Sequence, residues 1–107
     1  MALGRVPRVT KTYLRTVERL GLRPKTKSAL AVGAVVRELA RASELPIAGD
    51  IEAPLRAAES ALIEEVDGRR LLTAFVRRVK GQRLWVWYRP RGNEVDLIVL
   101  TNVPPNE

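Results

Sequence analysis

The apolar positions of this chain change period near its middle. Residues 10–43 repeat at the three-to-four spacing of a helix, whereas residues 62–101 show the alternation and short apolar runs of strands. Ahead of the helical stretch, Gly4–Val9 predicts a short strand, which Pro7 confines to a sheet edge. Thr10 is placed to cap a first helix. Leu14, Val17 and Leu20 fall on one face with Tyr13 beside them, and Lys11, Arg15 and Arg19 lie toward the other; Gly21 supplies the stop. Pro24 sits in the connecting turn. Thr26 or Ser28 caps a second helix, whose apolar positions are Val32, Val35, Val36 and Leu39 and whose pattern fades near Ser43. The two segments read as an αα-hairpin. Leu45–Pro54, with two prolines and a glycine, reads as an irregular crossover, and Ala57–Leu62 either adds a helical turn or leads into a strand.

The second half reads as β-structure. Asp67-Gly68 is a two-residue hairpin signal between Leu62–Val66 and Leu71–Val79. Lys80-Gly81-Gln82 marks the next turn, Arg83–Arg89 the next strand and Pro90-Arg91-Gly92-Asn93 another turn. Val95–Thr101 is an apolar run of strand length, and Pro104-Pro105 ends the pattern. The expectation is an α+β domain spanning residues 1–107, with an N-terminal helical hairpin packed on an antiparallel sheet of about four strands.

Charge adds what periodicity does not show. Residues 1–27 carry eight Lys/Arg and one acid, residues 28–68 three and eight, and residues 69–91 eight and none. Two basic segments thus flank an acidic middle, the kind of segregation that marks a surface meeting phosphate. Cysteine and histidine are both absent, which excludes a disulfide framework and the zinc sites built from those residues. No apolar stretch is long enough to span a bilayer, and Met1–Arg5 does not start a signal peptide. A cytoplasmic protein without membrane association or cofactor is expected.

Alternation places Arg83, Trp85, Trp87 and Arg89 on one face of their strand and Leu84, Val86 and Tyr88 on the other. Guanidinium groups neutralise phosphate, and a flat ring stacks on an unpaired base. The plainer role for tryptophan in a small β domain is core packing. Arg77, Arg78 and Lys80 lie across the turn from Arg83, and Arg69, Arg70 and Arg91 extend the basic edge. These eight bases with Trp85 and Trp87 form the expected nucleic-acid-binding set. The bases of the helical hairpin (Lys11, Arg15, Arg19, Arg23, Lys25, Lys27) either enlarge that surface or form a solvated face. Without His or Cys the usual general base and the strongest nucleophile are missing. Glu64, Glu65 and Asp67 are clustered, but adjacent strand residues point to opposite faces, and turn chemistry and pairing to Arg69 or Arg70 explain Asp67 more simply than a metal. One chemistry survives: an Arg/Lys cluster can orient the 2′-hydroxyl of RNA and stabilise the charge of the pentavalent phosphate.

On these residues the chain resembles the RelE/ParE superfamily of toxin–antitoxin toxins. Val9-Thr10-Lys11-Thr12-Tyr13-Leu14-Arg15 followed by Leu20 looks like the family's strand end leading into a helix. Val79–Tyr88 looks like its central strands, and Arg91–Leu100 is similar to its last long strand. The resemblance implies a toxin neutralised by a small antitoxin protein. Its activity would be metal-independent cleavage of RNA, in particular ribosome-bound mRNA, or gyrase binding of the ParE type. It also implies that Lys80, Arg83 and Tyr88 occupy catalytic places. The chain departs from the nuclease pattern at Trp85, where an arginine is common, and in its tail Asn102–Glu107, which lacks basic and aromatic residues. A non-catalytic nucleic-acid-binding module is the alternative.

Overall fold

The computed structural model describes residues 4–55 and 73–105. The first strand, β1 (Val6–Val9), is an edge strand, as Pro7 requires. Thr10 then caps helix α1 (Lys11–Arg19), its hydroxyl accepting from the Tyr13 backbone N–H at 3.1 Å. Gly21 ends the helix with a left-handed φ of 67°, a conformation that glycine adopts without a Cβ penalty. Thr26, rather than Ser28, caps helix α2 (Lys27–Arg41). Arg5 covers the far end of α2, donating from its backbone N–H to the Ala40 carbonyl at 2.7 Å and from Nη1 to the Ala42 carbonyl at 2.6 Å.

Strands β2 (Ile51–Pro54), β3 (Thr73–Arg78), β4 (Trp85–Arg91) and β5 (Glu94–Thr101) follow. The sheet runs β1-β5-β4-β3-β2. The α+β layout is therefore as expected, but the described sheet has five strands and is mixed, because β1 pairs parallel with β5. Ile51–Pro54, read from sequence as irregular, is the opposite edge strand. An edge tolerates Pro54, since its missing N–H costs no inner ladder bond. Ala57–Leu62 and the Asp67-Gly68 hairpin lie outside the described residues.

The β4 strand runs two residues further than expected, through Pro90 to Arg91. Its pairing with β3 stops at Tyr88, so Pro90 faces no β3 partner that would need an N–H. Gly92, with a φ of 60° at the first central position, then closes a tight hairpin onto Glu94.

Both faces of the sheet are apolar. On the helical side, Val86, Tyr88, Val95, Leu97 and Leu100 pack with Tyr13, Val32, Val35 and Leu39. On the other, Trp85, Trp87, Val76, Ile98 and Val99 form a second cluster with Ala53, Leu55 and Ala74. Burial on both faces accounts for the unbroken apolar run of β5. A bulge places Ile98 and Val99 on the same side, opposite Trp87.

The buried side of α1 differs from the expected one. Thr12, Tyr13 and Thr16 are inside, whereas Leu14 is 52% exposed. The cause is β1's short length. It pairs with β5 only as far as Leu97, and threonines of α1 take over from there. Thr10 Oγ1 donates to the Leu97 carbonyl at 2.8 Å, and Thr16 Oγ1 accepts from the Leu100 N–H at 2.9 Å. The Thr16 hydroxyl thus satisfies a buried backbone N–H, and the Thr10 hydroxyl reinforces the Thr10 N–H on the Leu97 carbonyl.

Candidate nucleic-acid interface

The connection from β3 to β4 is a tight, anchored turn. Val79 donates to the Leu84 carbonyl at 2.8 Å and Gln82 to the Val79 carbonyl at 3.1 Å, while Gly81 takes a φ of 76°. Val79 and Leu84 are buried beneath the turn and Lys80 and Arg83 are exposed upon it. On the outer face, the guanidinium carbons of Arg78 and Arg83 lie 5.6 and 5.8 Å from the Trp85 ring centroid, within cation–π range. Arg78 Nε also donates to the Gln82 carbonyl at 3.4 Å.

One hydrogen bond brings this turn to the helical hairpin: Ser28 Oγ donates to Gln82 Oε1 at 2.8 Å. It joins residues 54 apart in sequence and sets the segment Arg23–Lys27 beside the Arg78–Arg83 turn. Between them lies an open groove of about 410 Å³, lined by Leu20, Leu22 and Leu84 with Ser28, Gln82, Arg83 and Asn102. The start of α2, with no acidic residue in its first turn, adds the positive end of the helix dipole. Among the described residues, Arg23, Lys25, Lys27, Arg78 and Lys80 form no ion pair with a carboxylate.

Other expected site residues have different surroundings. Arg77 is clamped between Glu38 (Nε–Oε1 2.9 Å, Nη2–Oε2 3.0 Å) and Asp50 (Nη1–Oδ1 2.8 Å). The hydrogen bond to Glu38, supported by Asp50, raises its pKa against the opposing effect of burial. Arg77 is thereby a structural cation. Arg89 Nη1 lies 3.5 Å from Glu52 and donates to the Thr73 carbonyl at 3.2 Å. Arg91 lies 4.0 Å from Asp96, whose buried carboxylate also takes two bonds from Arg8, at 2.7 and 3.3 Å. Arg69 and Arg70 lie outside the described residues, as do Glu64, Glu65 and Asp67.

The aromatic residues are core. Trp87 is 1% exposed and its Nε1 donates to Thr101 Oγ1 at 3.1 Å, so its ring has no face open for a base. Trp85, at 9%, presents only a margin, beside the two guanidiniums. Both pack on the side away from α1 and α2. Tyr88 is fully buried on the helical side. Its hydroxyl donates to Asp50 Oδ2 at 2.5 Å and accepts from the Ile47 N–H at 3.3 Å. Burial, then the bond to Asp50, pushes its pKa up. A hydroxyl so placed reaches no ligand on the surface, and it pins the 45–50 crossover to the sheet instead.

Sequence reasoning missed Ser28, Gln82 and Asn102 as a set, because nothing in local pattern signals that a helix start, a turn and a strand end meet. It also missed Asp50 as the partner of Arg77 and Tyr88. No cluster of three or more His, Asp or Glu residues able to hold a metal ion occurs among the described residues, and no described helix is long and apolar enough to cross a membrane. Comparisons with protein-family models, with curated proteins and with solved structures give no match to this chain.

Proposed function

We propose that this chain binds RNA at the groove end of its sheet, as the toxin of a RelE/ParE-like toxin–antitoxin pair acting on ribosome-bound mRNA. The observation that carries RNA binding is the Ser28–Gln82 contact, which brings the two basic segments of the sequence together. Arg23, Lys25 and Lys27 of the hairpin, Lys80 and Arg83 of the turn, and Arg78 on the sheet's outer face beside Trp85 give a phosphate backbone a cationic end to follow. The toxin reading is supported by the order of edge strand, helical hairpin, central strands and long last strand, on which the sequence resemblance rests. In it, Lys80 and Arg83 orient the 2′-hydroxyl and stabilise the phosphate's developing charge, and no metal is required. A small acidic antitoxin would cover the same basic end and stabilise the fold by mass action.

Regulated expression tests this directly. The wild type should arrest growth with cleavage of translated mRNA, and Arg83→Ala or Lys80→Ala should relieve both at equal protein level. Normal growth with intact RNA from a folded wild type would reject the toxin assignment. The burial of Tyr88 favours a second reading, a non-catalytic RNA-binding module, because it takes out of reach one of the three side chains to which the resemblance gives catalytic places. That reading is selected if the purified protein binds RNA with strong salt dependence and leaves it intact.

A further inference from the structure

We infer that the groove between the helical hairpin and the β3–β4 turn is a subsite for a single unstacked nucleobase, read through Gln82 and Asn102; the inference rests on the RNA-binding reading above. The groove's floor is apolar, formed by Leu20, Leu22 and Leu84. Its rim carries two amides and a guanidinium, from Gln82, Asn102 and Arg83. At about 410 Å³ it lies in the range that holds small organic ligands, about 300–1,000 Å³. A slot lined by leucines and amides, near Arg23, Lys25, Lys27 and Lys80, which form no ion pair among the described residues, suits a flat heterocycle on a phosphate backbone. An acidic peptide would match the cations alike but would leave the apolar floor and the amides without a role. Duplex RNA shows its bases only in grooves, so the occupant is a base splayed from a single strand.

The Gln82 amide is oriented. Its oxygen is held by Ser28 Oγ at 2.8 Å, so its NH₂ group is left for the groove, with no hydrogen-bond partner among the described residues. A fixed donor selects an acceptor. Uracil and guanine carry a keto oxygen (O4, O6) where cytosine and adenine carry an amino group (N4, N6). The subsite should therefore prefer uracil and guanine, by roughly three- to tenfold for one such hydrogen bond. The Asn102 amide makes no hydrogen bond among the described residues and turns to suit either edge.

The experiment uses methyl-labelled full-length protein, titrated with each of the four nucleoside monophosphates and, separately, with single-stranded RNA oligonucleotides that differ in one base and with an acidic peptide. The expected result is a shift of the Leu22 and Leu84 methyl resonances, stronger with uridine and guanosine monophosphates. In Gln82→Glu, which keeps an acceptor for Ser28 but turns the donor into an acceptor, the ranking should reverse toward adenosine and cytidine. Gln82→Ala should flatten the preference among the oligonucleotides while leaving the salt dependence of binding intact. Salt-sensitive RNA binding with silent Leu22 and Leu84 methyls and no base preference would overturn the subsite and leave the RNA-binding reading standing. Silent methyls together with no salt-sensitive binding would overturn both. Shifts produced by an acidic peptide but by none of the nucleotides would replace the nucleobase with a protein partner.

Discussion

Lys80 and Arg77 are three residues apart, both basic and both expected from sequence to hold phosphate, yet their surroundings predict opposite effects of removing them. Five bases on the segments lining the groove (Arg23, Lys25, Lys27, Arg78 and Lys80) form no ion pair with a described carboxylate. If each displaces one counterion, the slope of log affinity against log salt for single-stranded RNA is about −3.5. Affinity then falls about a hundredfold between about 50 and about 200 mM salt. Lys80→Ala should reduce the slope to about −2.8, and Arg78→Ala with Lys80→Ala to about −2.1. Lys80→Ala should leave stability unchanged, since Lys80 is exposed, and Arg78→Ala should cost no more than about 1 kcal/mol, for a long hydrogen bond to the Gln82 carbonyl and a cation–π contact with Trp85. Arg77→Ala should do the reverse. Its bonds to Glu38 are discounted because that carboxylate is half exposed, but Asp50, at 5% side-chain exposure, would be left with Tyr88 as its remaining described partner. Loss of a charge-assisted bond to a buried carboxylate costs about 2–3 kcal/mol, with the RNA salt slope unchanged. The assay is fluorescence anisotropy of a labelled RNA over that salt range, paired with urea unfolding of each variant. A folded Arg77→Ala that lowers the slope as much as Lys80→Ala would refute the division of structural from phosphate-binding cations.

Three further outcomes follow from the packing. Thr16→Val keeps the volume but leaves the Leu100 N–H buried without its acceptor, so chemical denaturation should show a loss of about 1–3 kcal/mol. Leu14→Gln, at a position the apolar pattern assigns to the core, should change stability by less than about 0.5 kcal/mol, because the side chain is 52% exposed. Tyr88→Phe should lose about 1–3 kcal/mol near neutral pH, with RNA binding by the folded fraction unaffected. The tyrosines also set an alkaline limit. Burial pushes Tyr13 up to about 12 and raises Tyr88 as well, so the unfolded chain releases protons first as pH climbs past about 10. Their stabilisation is full below that point and is lost above it, at about 1.4 kcal/mol per pH unit for each tyrosine. The gap between wild type and Tyr88→Phe in urea midpoint should therefore narrow between pH values of about 10 and 11.5; a gap that widens would show the sign to be wrong.

Much of the fold was legible because it is written in local rules. Thr10, Gly21 and Thr26 cap and stop helices where their chemistry says they should, and alternation sorted Val86 and Tyr88 from Trp85 and Trp87. The failures have a common origin in long-range contacts. A hydrophobic pattern cannot anticipate that Thr16, not Leu14, faces inward, since what draws it in is a backbone N–H left over on β5, 84 residues away. Ile51–Pro54 carries too little strand character to stand alone and is recruited by pairing with β3. At the candidate site, sequence gave the cationic residues but not their partners. It could list Arg77 and Tyr88 beside Lys80 and Arg83, yet only the fold shows Asp50 reaching both of the first two.

The sorting of Arg77 from Arg78 shows how the fold turns a uniform basic stretch into two kinds of site. Adjacent strand residues point to opposite faces. Arg77 therefore meets the helical side, where α2 and the crossover present Glu38 and Asp50, and its charge is consumed in holding that connection against the sheet. Arg78 meets the other side, where its described neighbours are the Trp85 ring and the Gln82 carbonyl, neither of which neutralises a cation. Toward the other end of these strands Glu52 lies beside Arg89, while Asp96 of β5 serves Arg8 and Arg91. Carboxylates so placed pair Arg8, Arg77, Arg89 and Arg91, while Arg78 and Lys80 beside the β3–β4 turn form no ion pair among the described residues. Arg77→Gln should lower the urea midpoint with little effect on RNA affinity and Arg78→Gln should do the opposite, separating folding from RNA affinity within a single dipeptide.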